Sequence, residues 1–245
     1  MSSKSSRFGT ALLVVAIFAV LAVGLMMCGA RFGFWEPIVG FGLVRSYLNP
    51  IAYCVTGLGV VGLIYQLAIR NRAGAVKAGI ASLVGLGLMA PMIYGKIQPP
   101  VRYPPIHDIS TDTNNPPIFM VLDDNRVGAK NTLVYGGSEV AAQQKKVYPD
   151  IAPIQSSKSA SEAYAEALLI GKAMGWEIVA QDPSDLRFEA TARTSVYRFV
   201  DDIVVVVTPE ENASRIDIRS VSRVGRSDKG VNAARIRKFV SAFSR

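Results

Sequence analysis

The hydrophobic positions of this chain fall into two regimes. From Gly9 to Ala30, 22 consecutive residues carry no formal charge; from Tyr47 to Ile69, 23 do not; and Ala78 to Gly95 is uncharged as well. None of these runs shows the polar stripe of a helix packed on a soluble core. Each approaches or exceeds the ~20 residues that cross ~30 Å of hydrocarbon. The pattern predicts an all-α transmembrane region over residues 1–95, with three helices at about 9–30, 47–69 and 78–95.

After Gly95 the pattern changes. Pro99, Pro100, Pro104, Pro105, Pro116 and Pro117 predict a proline-rich, extended linker over 96–118, because proline fixes φ and cannot donate to a helix or a sheet. No periodicity emerges before about Pro153. Ser159 then stands three residues before Glu162 as a capping box, and Ala160, Ala163, Tyr164, Ala167, Leu168, Gly171 and Met174 share one helical face that ends at Gly175. Alternation of period two predicts strands near Trp176–Ala180, Leu186–Arg193, Arg198–Thr208 and Ser214–Arg223, the second with one solvated face. A last helix, about Val231–Phe243, buries Ala233, Ile236, Phe239, Val240 and Phe243. The soluble domain, 119–245, is therefore expected to be α+β: helix, four-strand antiparallel meander, helix. Both helices pack on one sheet face, and the other face stays polar, wet or covered by the proline-rich segment.

Charge refines this picture. The net +8 suggests nucleic acid until it is divided: residues 1–95 hold seven basic groups against Glu36, and the remainder holds 20 basic against 18 acidic. The excess flanks the apolar runs, so a nucleic-acid partner loses its main support. Lys4 and Arg7 precede the first run, and Arg70, Arg72 and Lys77 crowd the loop after the second. The positive-inside rule then puts the N-terminus in the cytoplasm and the C-terminal domain outside it. That is a multi-pass protein of a bacterial inner membrane with a periplasmic or extracytoplasmic domain. Cys28 and Cys54, the only cysteines, both lie in apolar runs. The soluble domain thus has no disulfide, thiol nucleophile or cysteine-based zinc cluster.

Several separated motifs, His107-Asp-Ile-Ser-Thr-Asp112, Tyr148-Pro-Asp-Ile151, Gly175-Trp176, Phe199-Val-Asp-Asp202 and the run Ser220–Phe239, resemble the bacterial domain of unknown function 1499 family. The resemblance spans roughly residues 100–242 and is similar to members carrying an added N-terminal membrane region. It implies a domain often associated with the cell envelope, and no established activity or catalytic residues.

Candidate chemistry concentrates near the C-terminus. Residues 215–245 carry nine basic groups against Asp217 and Asp228. Arg215, Arg219 and Arg223 share one strand face, and Arg226 and Asp228 lie in a loop that leads to the helix start at Val231 and Asn232. Helix starts favour anions, but this loop lacks the lysine and hydroxyl of a nucleotide P-loop. Asp201 and Asp202, adjacent on a strand, point to opposite faces and cannot form an acid–base pair. Asp202 shares a face with Arg198 and faces the arginine row across the sheet. His107, the only histidine, has no serine or cysteine motif near it.

Asp202, Arg219, Arg223, Arg226, Asp228 and Asn232 are thus the candidate ligand-binding residues; each also has a purely structural alternative, as ion pair or cap. No catalytic residue, metal-ligand set or cofactor is assigned. The expected function is a non-enzymatic, membrane-anchored envelope protein. Its partners are the lipid bilayer and either membrane-complex subunits or an anionic lipid or other anionic ligand. The alternative is a hydrolase or transferase acting on lipid or cell-wall material through Asp202, Asp228 and the arginine row. One cleft holding these groups favours the enzyme; groups that pair off disfavour it.

Overall fold

The computed structural model describes residues 2–98 and 101–244. The chain forms two compact units, Met1–Val101 and Arg102–Arg245.

The first unit is helical: α1 (Ser2–Cys28), a 3-10 turn (Gly29–Phe32), α2 (Pro37–Ala68), α3 (Arg72–Leu88) and α4 (Ala90–Ile97). Two helices are long and apolar enough to cross a membrane, and α3 with α4 makes a third if the pair, bent by 47°, is one broken span. These helices are those of a membrane protein. The bend falls where Pro91, in the first turn of α4, lacks the N–H that would continue the ladder. The second apolar segment begins at Pro37 rather than Tyr47. Pro37 is favourable at a helix start, and Pro50 stands inside the helix without ending it. Small residues let the helices approach. A Cβ on Gly59 would lie 2.5 Å from the Ser82 nitrogen, whereas Gly57, Gly79 and Gly87 meet nothing within 4 Å.

The second unit contains β1 (Asp108–Ser110), α5 (Gly137–Val147), β2 (Ile154–Ser156), α6 (Ala160–Ala173), β3 (Glu177–Asp182), β4 (Arg187–Arg193), β5 (Val200–Glu210), β6 (Ala213–Ser222) and α7 (Val231–Phe243). The expected four-strand meander is present as β3-β4-β5-β6, but the sheet has six strands, because β1 and β2 both add antiparallel to the outer edge of β6. Three-residue strands are too short to show alternation. One of them, β1, lies inside the stretch expected to be linker, and α5 lies in the stretch that showed no pattern. The capping box of Ser159 and Glu162 starts α6.

Both α6 and α7 pack on one sheet face. Their Ala163, Ala167, Ala233, Ile236 and Phe239 join Phe188, Ile203, Val205, Ile216 and Ile218 in a single core. Trp176 stacks on Phe239 with ring centroids 5.4 Å apart. Burying each large side chain of this kind contributes about 1.5–3 kcal/mol.

Close helix approach in the first unit yields a paired expectation. Gly59→Leu in the full-length protein overpacks the α2–α3 contact and destabilises it by about 1–3 kcal/mol. Gly57→Leu, which meets open space, leaves thermal unfolding in detergent unchanged; equal effects of the two would refute this packing.

Candidate functional site

The face of the sheet away from α6 and α7 is polar and buried. On β6, residues 215, 217, 219 and 221 share that face, and register places Asp202 opposite Val221 and Val204 opposite Arg219. Asp202, Glu189 and Arg219 are 0–1% exposed. The alternation in β4 predicts a solvated face; instead Glu189 and Thr191 are buried. What covers them is the segment 117–135, which forms neither helix nor strand and lies across the sheet as a strap.

Charged side chains hold the strap. The Glu189 carboxylate accepts backbone N–H groups of Met120 (2.5 Å), Val121 (3.1 Å) and Leu122 (2.7 Å). Arg219 pairs with both oxygens of Asp108 at 2.9 and 2.7 Å, and it also donates to the carbonyls of Pro117 (3.1 Å) and Leu133 (2.7 Å). Its guanidinium lies over the rings of Phe119 and Tyr135 at 5.5 and 5.3 Å. Burial, followed by the nearby Asp108 carboxylate, pushes the Tyr135 hydroxyl up to about 12. Asp202 is shared by Arg126 (2.5 Å) and Arg223 (2.8 Å), rather than paired with Arg198. Arg126 donates further to the Asn131 carbonyl, and Arg223 to that of Val127. Asp108 thus pairs with Arg219 and Asp202 with Arg126 and Arg223, Glu189 meets Arg187 at 3.5 Å beside its three backbone N–H groups, and further guanidinium N–H groups are bonded to strap carbonyls. Isolated buried charges are prohibitive, and this pairing is what makes their burial tolerable.

Asp228 and Asn232 lie on the other side of the sheet. The Asp228 carboxylate accepts the backbone N–H of Gly230 (3.0 Å) and Asn232 (2.7 Å), so it caps the start of α7. Burial raises its carboxyl above the usual value, against the pull of those N–H groups. Asn232 donates to the His107 carbonyl and to Ser222 Oγ, and accepts from Ser220 Oγ and Arg235. Arg235 also pairs with Asp201 at 2.5 Å. Arg226 is exposed on the loop.

The six candidates therefore do not converge. Asp202, Arg219 and Arg223 form one closed layer, Asp228 and Asn232 a second polar cluster across the sheet, and Arg226 faces solvent. Asp201 and Asp202 do point to opposite faces, as adjacent strand positions must. Asp108, Arg126 and Glu189, which complete the layer, escaped the sequence reading: Glu189 looked like an outward strand position, and Arg126 sits in unpatterned chain. Outside the layer, the strap turns apolar side chains to solvent: Ile118, Met120, Val121 and Val134 are 60–74% exposed. Pro117 and Leu133 both bond Arg219, which ties the chain beside Ile118 and the chain beside Val134 to one side chain.

A family model described as "Protein of unknown function (DUF1499)" matches residues 108–243. The match begins at the first residue of β1 and ends at the last residue of α7. No curated protein matches the chain.

If the layer is structural, breaking one pair must destabilise the domain. Arg219→Met leaves Asp108 buried without a partner, and the expected loss is about 3–5 kcal/mol. Asp108→Leu combined with Arg219→Met recovers part of it. Chemical denaturation of the full-length protein measures both; an Arg219→Met variant as stable as wild type would contradict the structural role.

Proposed function

The chain belongs to the DUF1499 family of unknown function, and on that premise we propose that it is a non-enzymatic, membrane-anchored envelope protein whose second unit docks a partner protein. The carrying observation is the strap. Its backbone is held by buried charges, and it offers Ile118, Met120, Val121 and Val134 to solvent as a rigid apolar patch. Contiguous exposed apolar patches mark interaction sites, and a backbone already ordered loses little entropy on binding.

The partner is a protein with an apolar patch and a basic rim. Asp123 and Asp124 lie exposed beside Val121, where an anionic bilayer surface would be repelled. Pairing-off of Asp202, Arg219 and Arg223 away from Asp228 supports the non-enzymatic reading over a hydrolase or transferase. An anionic ligand, the other form of the expectation, would be met by Arg226 on the exposed loop before α7. The inner-membrane placement, with three crossings, a cytoplasmic N-terminus and an extracytoplasmic domain, rests on the charge bias of the loops.

A photoreactive residue at position 120 of the full-length protein, irradiated in native membranes, should give a discrete protein adduct. Ile118→Ser with Val121→Ser should abolish the adduct while changing stability by no more than about 0.5 kcal/mol per exposed site. Adducts with lipid alone, or none, would defeat the docking proposal. With Met120→Cys in whole cells, an impermeant thiol reagent should label from outside; labelling only after lysis would reverse the orientation.

A further inference from the structure

Two strands share one edge of β6. β1 pairs with residues 219–221 and β2 with residues 214–216. Between them Thr111 meets the edge: its N–H donates to the Ile218 carbonyl and its hydroxyl to Asp217. The two neighbouring chains part at this point. The chain leaving β1 turns away through Asp112, held by N–H groups of Asn114 and Asn115 at 2.8 and 2.9 Å, and the chain entering β2 arrives through Pro149–Pro153. A cleft of about 370 Å³ opens between them, bordered also by Gln144 and Lys145 of α5. That size lies within the ~300–1,000 Å³ of small-molecule sites.

Charge decides what the cleft can take. Arg215 is the most accessible member of the arginine row, its side chain 30% exposed against 1% for Arg219 and 14% for Arg223. It is already paired with Asp112 (2.6 Å) and Asp217 (2.8 Å). Burial opposes ionisation of Asp112, but the Asn115 and Asn114 N–H groups, together with Arg215, hold its carboxyl below the usual value. Lys145 Nζ donates to Asn114 Oδ1 at 3.1 Å. Arg215 is thus already matched by two carboxylates, Asp112 in the cleft lining and Asp217 outside it, and a ligand anion at Arg215 would meet Asp112. What stays open is hydrogen-bonding capacity. Among the described residues, Arg215 Nη1, two of the three Lys145 N–H bonds, the Asn114 amide N–H₂ and the Thr113 hydroxyl make no other hydrogen bond, and the Asp112 carboxylate can accept more. Pro149, Ile151 and Pro153 supply an apolar wall.

We propose that this cleft binds a neutral polyhydroxylated ligand, a sugar ring. Its hydroxyls exchange hydrogen bonds with Asp112, Thr113, Asn114, Lys145 and Arg215, and its C–H face lies on the proline and isoleucine wall. The site is independent of the strap patch and does not rest on partner docking.

The test uses full-length protein in a detergent without a sugar headgroup, titrated with glucose, N-acetylglucosamine and maltose, and with inorganic phosphate as the contrast. At least one sugar should bind, and phosphate should not compete. Asn114→Ala and Lys145→Ala, both at exposed positions, should keep the wild-type melting temperature and weaken sugar binding about tenfold or more, the range for bonds involving charged groups. Failure of all three sugars to bind, displacement by phosphate, or unchanged affinity in both variants would each overturn the assignment.

Discussion

The second unit depends on burying six ionised side chains between a sheet and a strap that has no regular structure of its own. A segment such as 117–135 cannot satisfy its backbone internally, and covering a sheet face would strand N–H and C=O groups away from water. Here the sheet supplies the missing partners. Glu189 takes three consecutive N–H groups, and Arg219, Arg126 and Arg223 donate to carbonyls at 117, 133, 131 and 127. The carboxylates of Asp108 and Asp202 neutralise those guanidiniums in turn. Removing Arg219 leaves the Asp108 carboxylate and the carbonyls of residues 117 and 133 without it, and removing Glu189 leaves three strap N–H groups without their acceptor, so charge burial and strap placement are coupled.

The same constraint explains why this face lacks the look of an active site despite its charge. A catalytic carboxylate must be reachable and must exchange protons with substrate. Asp202 is fully buried between two arginines, and Arg219 is enclosed by Phe119, Tyr135 and two carbonyls. Across the sheet, Asp228 is committed to the start of α7 and Asn232 to Ser220, Ser222 and His107. The outer surface of the strap and the cleft beside Arg215 are the proposed places for a partner and a ligand.

Much of the fold was legible because its periodic elements are long. The apolar helices, the capped α6, the meander and α7 each repeat their pattern over several turns or pleats. The edge strands were not, since Asp108–Ser110 and Ile154–Ser156 each offer only three residues, one of them amid prolines. The arginine row of β6 was visible from its spacing, and so was the opposed orientation of Asp201 and Asp202. Its partners were not: Asp108 is 111 residues from Arg219, and Arg126 is 76 from Asp202. No local pattern encodes such a pairing. The solvated reading of β4 failed for the same reason, because the cover over Glu189 comes from chain with no signal of its own.

Backbone hydrogen exchange across 117–135, compared between wild type and Glu189→Gln, tests most directly whether buried charge holds the strap. A neutral amide accepts fewer and weaker bonds than a carboxylate. The N–H groups of Met120, Val121 and Leu122 should be protected in wild type and lose that protection in the variant, while the amides of β5 stay slow. Strap amides that exchange freely in wild type, or that remain equally protected in Glu189→Gln, would contradict the account.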